Sequence, residues 1–258
     1  MPTFRLGATS YIIPAGLPEN ARFLSGKVQD MELVLFDLDD GPHNIPSPET
    51  TARLAAAAQE GGLSYTVHLP ADLCFSSGAG LEHPSILKAR RAIASTLELK
   101  PWAYIVHLDG REVRLSAEIQ ALRRWQDQAV WGLEALASWA GDPALLAVEN
   151  LETYPPDFVL PVVERLPVSR CVDAGHLWLD GHDPLPHLQA AYPRLRVIHI
   201  HGVAARDHSS LAHMPIEQLK PVFNWISLSE FSGVVTLEVF GEEDFWSSMK
   251  AVSILRNS

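Results

Sequence analysis

The chain of 258 residues is 47% apolar and 20% charged, with a formal charge of −11. Such a balance supports one sizeable core and speaks against a nucleic-acid partner, whose phosphates call for clustered Lys and Arg. The longest apolar runs are too short to span a bilayer, and the first residues lack a basic-then-apolar leader layout, so no membrane association is expected. Cys74 and Cys171 form neither a disulfide framework nor a CxxC pair, which fits a reducing cytoplasm.

In chain order, short apolar runs that read as strands occupy 4–10, 31–37, 64–70, 103–109, 145–151, 169–175, 196–202 and 234–240. Helix-period segments lie between them. One opens at Ser47-Pro48-Glu49, a capping serine with proline in the first turn, and stops at Gly61-Gly62. Longer amphipathic patterns cover 84–99 and 116–140, with others at 215–227 and 243–256 and fainter ones at 18–27, 158–165 and 184–191. Strands separated by helices pair in parallel through crossovers. Eight such units, with no Gly-rich nucleotide turn after the first strand, predict a single (β/α)8 barrel over 1–258 rather than an open doubly wound sheet.

In a barrel strand alternate side chains face the interior. Placing the apolar residues toward the helices turns His68, His107, Glu149, Asp173, His199 and Glu238 inward, each near the C-terminal end of its strand. Barrel enzymes build their sites on that face. Short loops add His176, three residues after Asp173, and the adjacent pair Asp207-His208. Three imidazoles and three carboxylates converging without compensation would be costly to bury; a divalent cation offsets the carboxylates. These nine donors exceed the needs of one ion and predict two or three, with zinc suited to the histidines and manganese or iron also compatible. Multi-metal sites suit phosphate-ester hydrolysis by metal-activated hydroxide. His201 shares the face of His199 one step nearer the rim and is placed to touch substrate phosphate or to act as a spare donor.

These residues resemble the xylose-isomerase-like barrel superfamily and, within it, the apurinic-site endonuclease branch: Glu149-Asn150 on the fifth strand, Asp173 to His176 after the sixth, His199 on the seventh with an Asp/His loop beyond, and His68 and His107 on the third and fourth. The resemblance implies one ion on His68, His107 and Glu149, a second on Glu149, Asp173, His199 and Glu238, and a third on His176, Asp207 and His208. One departure stands out, because the branch usually reads Asp-x-His where Asp207 and His208 are adjacent. The basic DNA-contacting loops are also missing, which argues against a repair endonuclease.

A narrower likeness spans residues 4–37, which look like the opening of the cobamide-remodelling phosphodiesterases. It implies hydrolysis of the nucleotide loop of a cobamide (corrinoid) substrate, with Glu149 and Glu238 at the chemistry and Tyr11 and Trp178 as substrate contacts. The alternative is a single-metal sugar isomerase or epimerase using Glu149 and Glu238 as acid and base across a ketose; a non-catalytic corrinoid binder is a third option. His43, His83, His182, His187 and His213 read as solvated. Cys171 reads as a small buried hydrophobe, Trp125, Trp131 and Trp139 as packing or a subunit contact, and Asp180 as a substrate-loop candidate.

Overall fold

The computed structural model describes residues 4–70, 72–74 and 80–256, so the domain span expected for the chain extends outside the described residues at both ends. Eight parallel strands close a barrel in sequence order: β1 (Arg5–Thr9), β2 (Asp30–Val34), β3 (Ser64–His68), β4 (Tyr104–Val106), β5 (Leu146–Glu149), β6 (Ser169–Asp173), β7 (Leu195–Ile200) and β8 (Val234–Leu237). Helices α1 (Leu17–Leu24), α2 (Pro48–Gly61), α3 (Pro84–Thr96), α4 (Ile119–Ala140), α5 (Leu160–Val163), α6 (Ala174–Leu179), α7 (Pro184–Ala191), α8 (Ile216–Leu228) and α9 (Glu242–Arg256) follow them along the chain. The expected (β/α)8 architecture is the one observed. No helix among the described residues is long and apolar enough to cross a membrane.

The two sides of each strand go to different places, as the alternation requires. Tyr65, Val67, Tyr104, Val106, Leu146, Val148, Ile198, Ile200, Val235 and Leu237 join the main apolar layer between sheet and helices. Ala103, Ile105, Ala147, Cys171, Val197 and Val234 form a smaller cluster inside the barrel, beneath the polar residues at the strand ends. At the opposite mouth the guanidinium groups of Arg5 and Arg196 lie 4.0 and 4.2 Å from the Trp102 ring centroid. That end is closed by packing and holds none of the donors.

Local chemistry sets the helix boundaries. Ser47 Oγ accepts from the Thr50 amide at the start of α2, and Gly62 ends it in the left-handed region at φ 67°. Segment 158–165 contracts to the single turn of α5. Segment 18–27 ends at Leu24, where Ser25 turns extended. Two elements escape sequence patterning: α6, which starts directly at the end of β6, and a two-stranded pairing of Leu73–Cys74 with Leu108–Asp109 beside the barrel mouth. Trp125 of α4 is buried, donates its indole N–H to the Asp109 carbonyl (2.7 Å) and lies against Phe158, while Trp131 is exposed.

Candidate metal centre

Each strand end delivers its donor to the C-terminal mouth. Glu149 and Asp173 are the last residues of β5 and β6, His68 ends β3, His107 follows β4, His199 lies in β7 and Glu238 follows β8. Donor atoms of Glu149, Asp173, His199 and Glu238 all lie within 4.8 Å of one another, as do those of His68, His107 and Glu149. A third group joins His176, His201, Asp207 and His208 within the same distance. Every predicted donor therefore falls into one continuous cluster, with Glu149 common to two groups. His201 was expected near the rim; it is completely buried and stands among the donors, with Nε2 3.3 Å from Asp173 Oδ1.

The Glu149-Asn150 pair works structurally as well as chemically. The Asn150 side chain accepts from the Asp173 amide and donates to its carbonyl, both at 3.0 Å, locking the ends of β5 and β6 together. Asp173 Oδ1 accepts from the His176 amide (2.7 Å) as the cap of α6, which swings His176 over the site. Asp207 and His208, though adjacent, both reach the third group because His208 takes a left-handed backbone (φ 48°). Gly202 and Ser209 then exchange two backbone hydrogen bonds and fold the loop back. A Cβ on Gly202 would sit 2.0 Å from the Ser210 carbonyl oxygen, so only glycine allows this return.

Most of the imidazoles have one nitrogen engaged by an outer partner and the other facing inward. His68 Nδ1 meets the Leu69 carbonyl (3.0 Å), leaving Nε2 toward His107. His107 Nδ1 pairs with Asp72 (3.0 Å) and its Nε2 faces Glu149 (3.1 Å). His176 Nδ1 meets the Asn150 carbonyl (3.1 Å). His199 Nε2 pairs with Glu32 (2.8 Å), and its Nδ1 faces Glu238 (3.1 Å) and Glu149 (3.2 Å). Outer partners of this kind fix tautomer and ring orientation at metal sites.

The inward atoms are under-satisfied. Asp173 Oδ2, Glu238 Oε2, His201 Nε2 and His208 Nδ1 are buried without a hydrogen-bond partner among the described residues. Orphaned polar atoms of opposite character, gathered in one buried cluster, suit a divalent ion. Burial alone would raise the Glu149 carboxyl, but His199 and His107 hold it well below the carboxylate range. Burial opposes protonation of His107, yet Glu149 and Asp72 outweigh it and push its pKa up to about 10. Burial pushes the Cys171 thiol well up, so it packs as a small hydrophobe.

Two partners, Glu32 and Asp72, are not legible from a search for strand-end donors. Glu32 lies in β2 between buried Met31 and Leu33, so the same alternation points it inward. The signal was present but lay deep in the strand rather than at its end. Tyr11 stands at the rim, its hydroxyl accepting from Asn44 (3.0 Å) and its ring against Phe240, which in turn touches His208. Trp178 lines a separate hollow of about 360 Å³ with His182, Asp183 and Glu217, and Asp180 is held by the Thr153 amide. His83 caps α3.

Gly175 sets the depth of His201, because a Cβ there would fall 2.2 Å from the imidazole. Gly175→Ala is expected to displace that ring and lower metal content without unfolding the barrel, since the change leaves the main core untouched. Elemental analysis beside a thermal melt checks this; full metal content in the variant would refute it.

No curated protein matches the sequence. Among solved structures, the chain is similar to a D-tagatose 3-epimerase-like protein (TM-score 0.76, 15% identity, 98% of this chain and 97% of that one). It is also similar to a D-allulose 3-epimerase from Methylomonas sp. (0.68, 15%, 98% and 96%) and to an AP endonuclease, family 2, from Brucella melitensis (0.67, 15%, 100% and 99%). At these identities the likeness is one of fold. The expectation of a cobamide phosphodiesterase is corrected: the neighbours are mainly sugar epimerases. In the stretch behind the narrower likeness, the side chain of buried Asn20 binds backbone groups of Ile12, Ile13, Ala15 and Gly16, which anchors a rim loop whose Ile12 is buried and whose residues 14–16 are exposed. The family model for the xylose isomerase-like TIM barrel matches residues 28–255, and the chain belongs to that family.

Proposed function

We propose that this protein is a divalent-metal-dependent isomerase or epimerase acting on a ketose. The observation that carries the reading is the group of Glu149, Asp173, His199 and Glu238, three carboxylates and one imidazole within 4.8 Å at the ends of four consecutive strands. Proton transfer next to a carbonyl needs a positioned base and a means of stabilising negative charge on oxygen. The four residues would hold a divalent ion, which would supply the second as a Lewis acid.

The chain's own residues divide the rest of the work. Glu238 lines the cavity at the mouth, with its Oε2 3.1 Å from His199 Nδ1. It is the group placed to take the proton from the carbon beside the carbonyl. Glu149 is wholly buried, with Oε1 facing His199 and Oε2 facing His107. It is the second member of the acid–base pair and the charge anchor of the centre. The remaining donor groups, His68 and His107 with Glu149, and His176, His201, Asp207 and His208, suit further ions; zinc, manganese and iron all match such N/O sets.

Protein reconstituted with zinc or manganese and incubated with ketohexoses in deuterated water is expected to exchange the hydrogen beside the carbonyl and accumulate an epimer or aldose. Elemental analysis of the same sample is expected to give close to one ion per chain, on Glu149, Asp173, His199 and Glu238. Absence of exchange with every ketose and every metal would overturn the reading.

A further inference from the structure

The cavity above the donors has a volume of about 770 Å³, with His107, His176, His208 and Glu238 on its metal-facing side and Arg111, Arg114 and Tyr154 on another wall. A neutral sugar makes no demand for a guanidinium at that place. Arg111 is already matched, 2.9 Å from Asp109 and 3.2 Å from Asp72. Arg114 differs. It has no carboxylate within ion-pair distance among the described residues.

What holds Arg114 is uncharged. Its guanidinium carbon lies 4.8 Å from the Tyr154 ring centroid. Tyr154 is itself fixed against Phe158, and Phe158 against Trp125. Arg114 Nε is buried and has no acceptor. The arrangement positions a cation at the wall of a cavity that Asp72 and Glu152 also line, with no ion-pair partner for it among the described residues. Guanidinium groups match the planar or tetrahedral oxygens of carboxylates and phosphates better than any neutral hydroxyl.

We infer that the substrate is an anionic ketose, with a phosphate ester or a carboxylate remote from its carbonyl, and that Arg114 binds that group. The inference rests on the isomerase or epimerase reading of the same site and narrows its substrate class. Its test compares D-fructose, D-fructose 6-phosphate and D-fructuronate as substrates of the metal-reconstituted protein and of Arg114→Ala and Arg114→Lys, with thermal melts to confirm folding. One anionic ketose is expected to be used about 100-fold better than D-fructose, and whichever it is distinguishes phosphate from carboxylate. Arg114→Ala is expected to erase about 10- to 100-fold of that preference, mainly through KM, with Arg114→Lys retaining part of it. Equal use of neutral and anionic ketoses, or a loss in Arg114→Ala that is the same for both, would overturn the inference. If no ketose exchanges its hydrogen, the isomerase reading fails, and calorimetric titration with D-fructose 6-phosphate then decides the anion site: equal affinity in wild type and Arg114→Ala would overturn it, and weaker binding in the variant would sustain it.

Discussion

Glu238→Gln is expected to cut ketose turnover by about 10³-fold, within the range that a positioned general base contributes. The amide keeps the shape of the carboxylate and its place after β8, so the barrel should melt near the wild-type temperature. What is lost is the one cavity-lining carboxylate of the four-residue group. The amide also removes a charge that faces His199 Nδ1 at 3.1 Å, so metal affinity should fall as well. Measuring kcat at saturating metal separates the two effects. A variant that turns over at wild-type rate with full metal content would remove Glu238 from the chemistry.

The second large effect is expected at a residue that neither lines the cavity nor belongs to any predicted donor set. Glu32 is completely buried in β2, and its Oε2 holds His199 Nε2 at 2.8 Å. That contact leaves Nδ1 as the inward nitrogen, toward Glu149, Asp173 and Glu238. Outer carboxylates that orient a ligating histidine are typically worth about 10- to 100-fold in metal affinity. Glu32→Gln retains an acceptor for the imidazole N–H and should weaken binding toward the lower end. Glu32→Ala leaves a buried nitrogen unpaired, which costs about 1–3 kcal/mol of stability, and should sit at the upper end. Competition with a chromophoric chelator reads the affinities directly; values equal to wild type in both variants would show that His199 needs no such support.

Glu32 also marks where sequence reasoning stopped. The alternation that turned His68, Glu149, Asp173 and Glu238 inward applied equally to Met31-Glu32-Leu33. Barrel sites lie at strand ends, and Glu32 sits deeper in its strand. His201 shows the complementary difficulty. Its spacing from His199 put it on the right face, but its depth depends on Gly175 leaving room for the ring. Asp207 and His208 departed from the usual spacing of their branch, and a left-handed His208 still directs both toward His176 and His201. The likeness in residues 4–37 concerned a stretch in which Asn20 anchors the backbone of Ile12 and Ile13 at the rim.

Periodicity alone determined the eight-stranded barrel, because apolar alternation separated by helical repeats has one low-cost closure at this length. It also determined which residues face the interior, since strand geometry allows two sides and burial assigns the apolar one. Distance along the chain carries no information about depth, tautomer or neutral space, and those belonged to the tertiary structure alone. The pairing of Glu32 with His199 spans 167 residues, and the sharing of Glu149 between His107 and His199 joins three strands. Arg114 acquires its meaning only where folding sets it on Tyr154, at the wall of the cavity that Glu238 also lines.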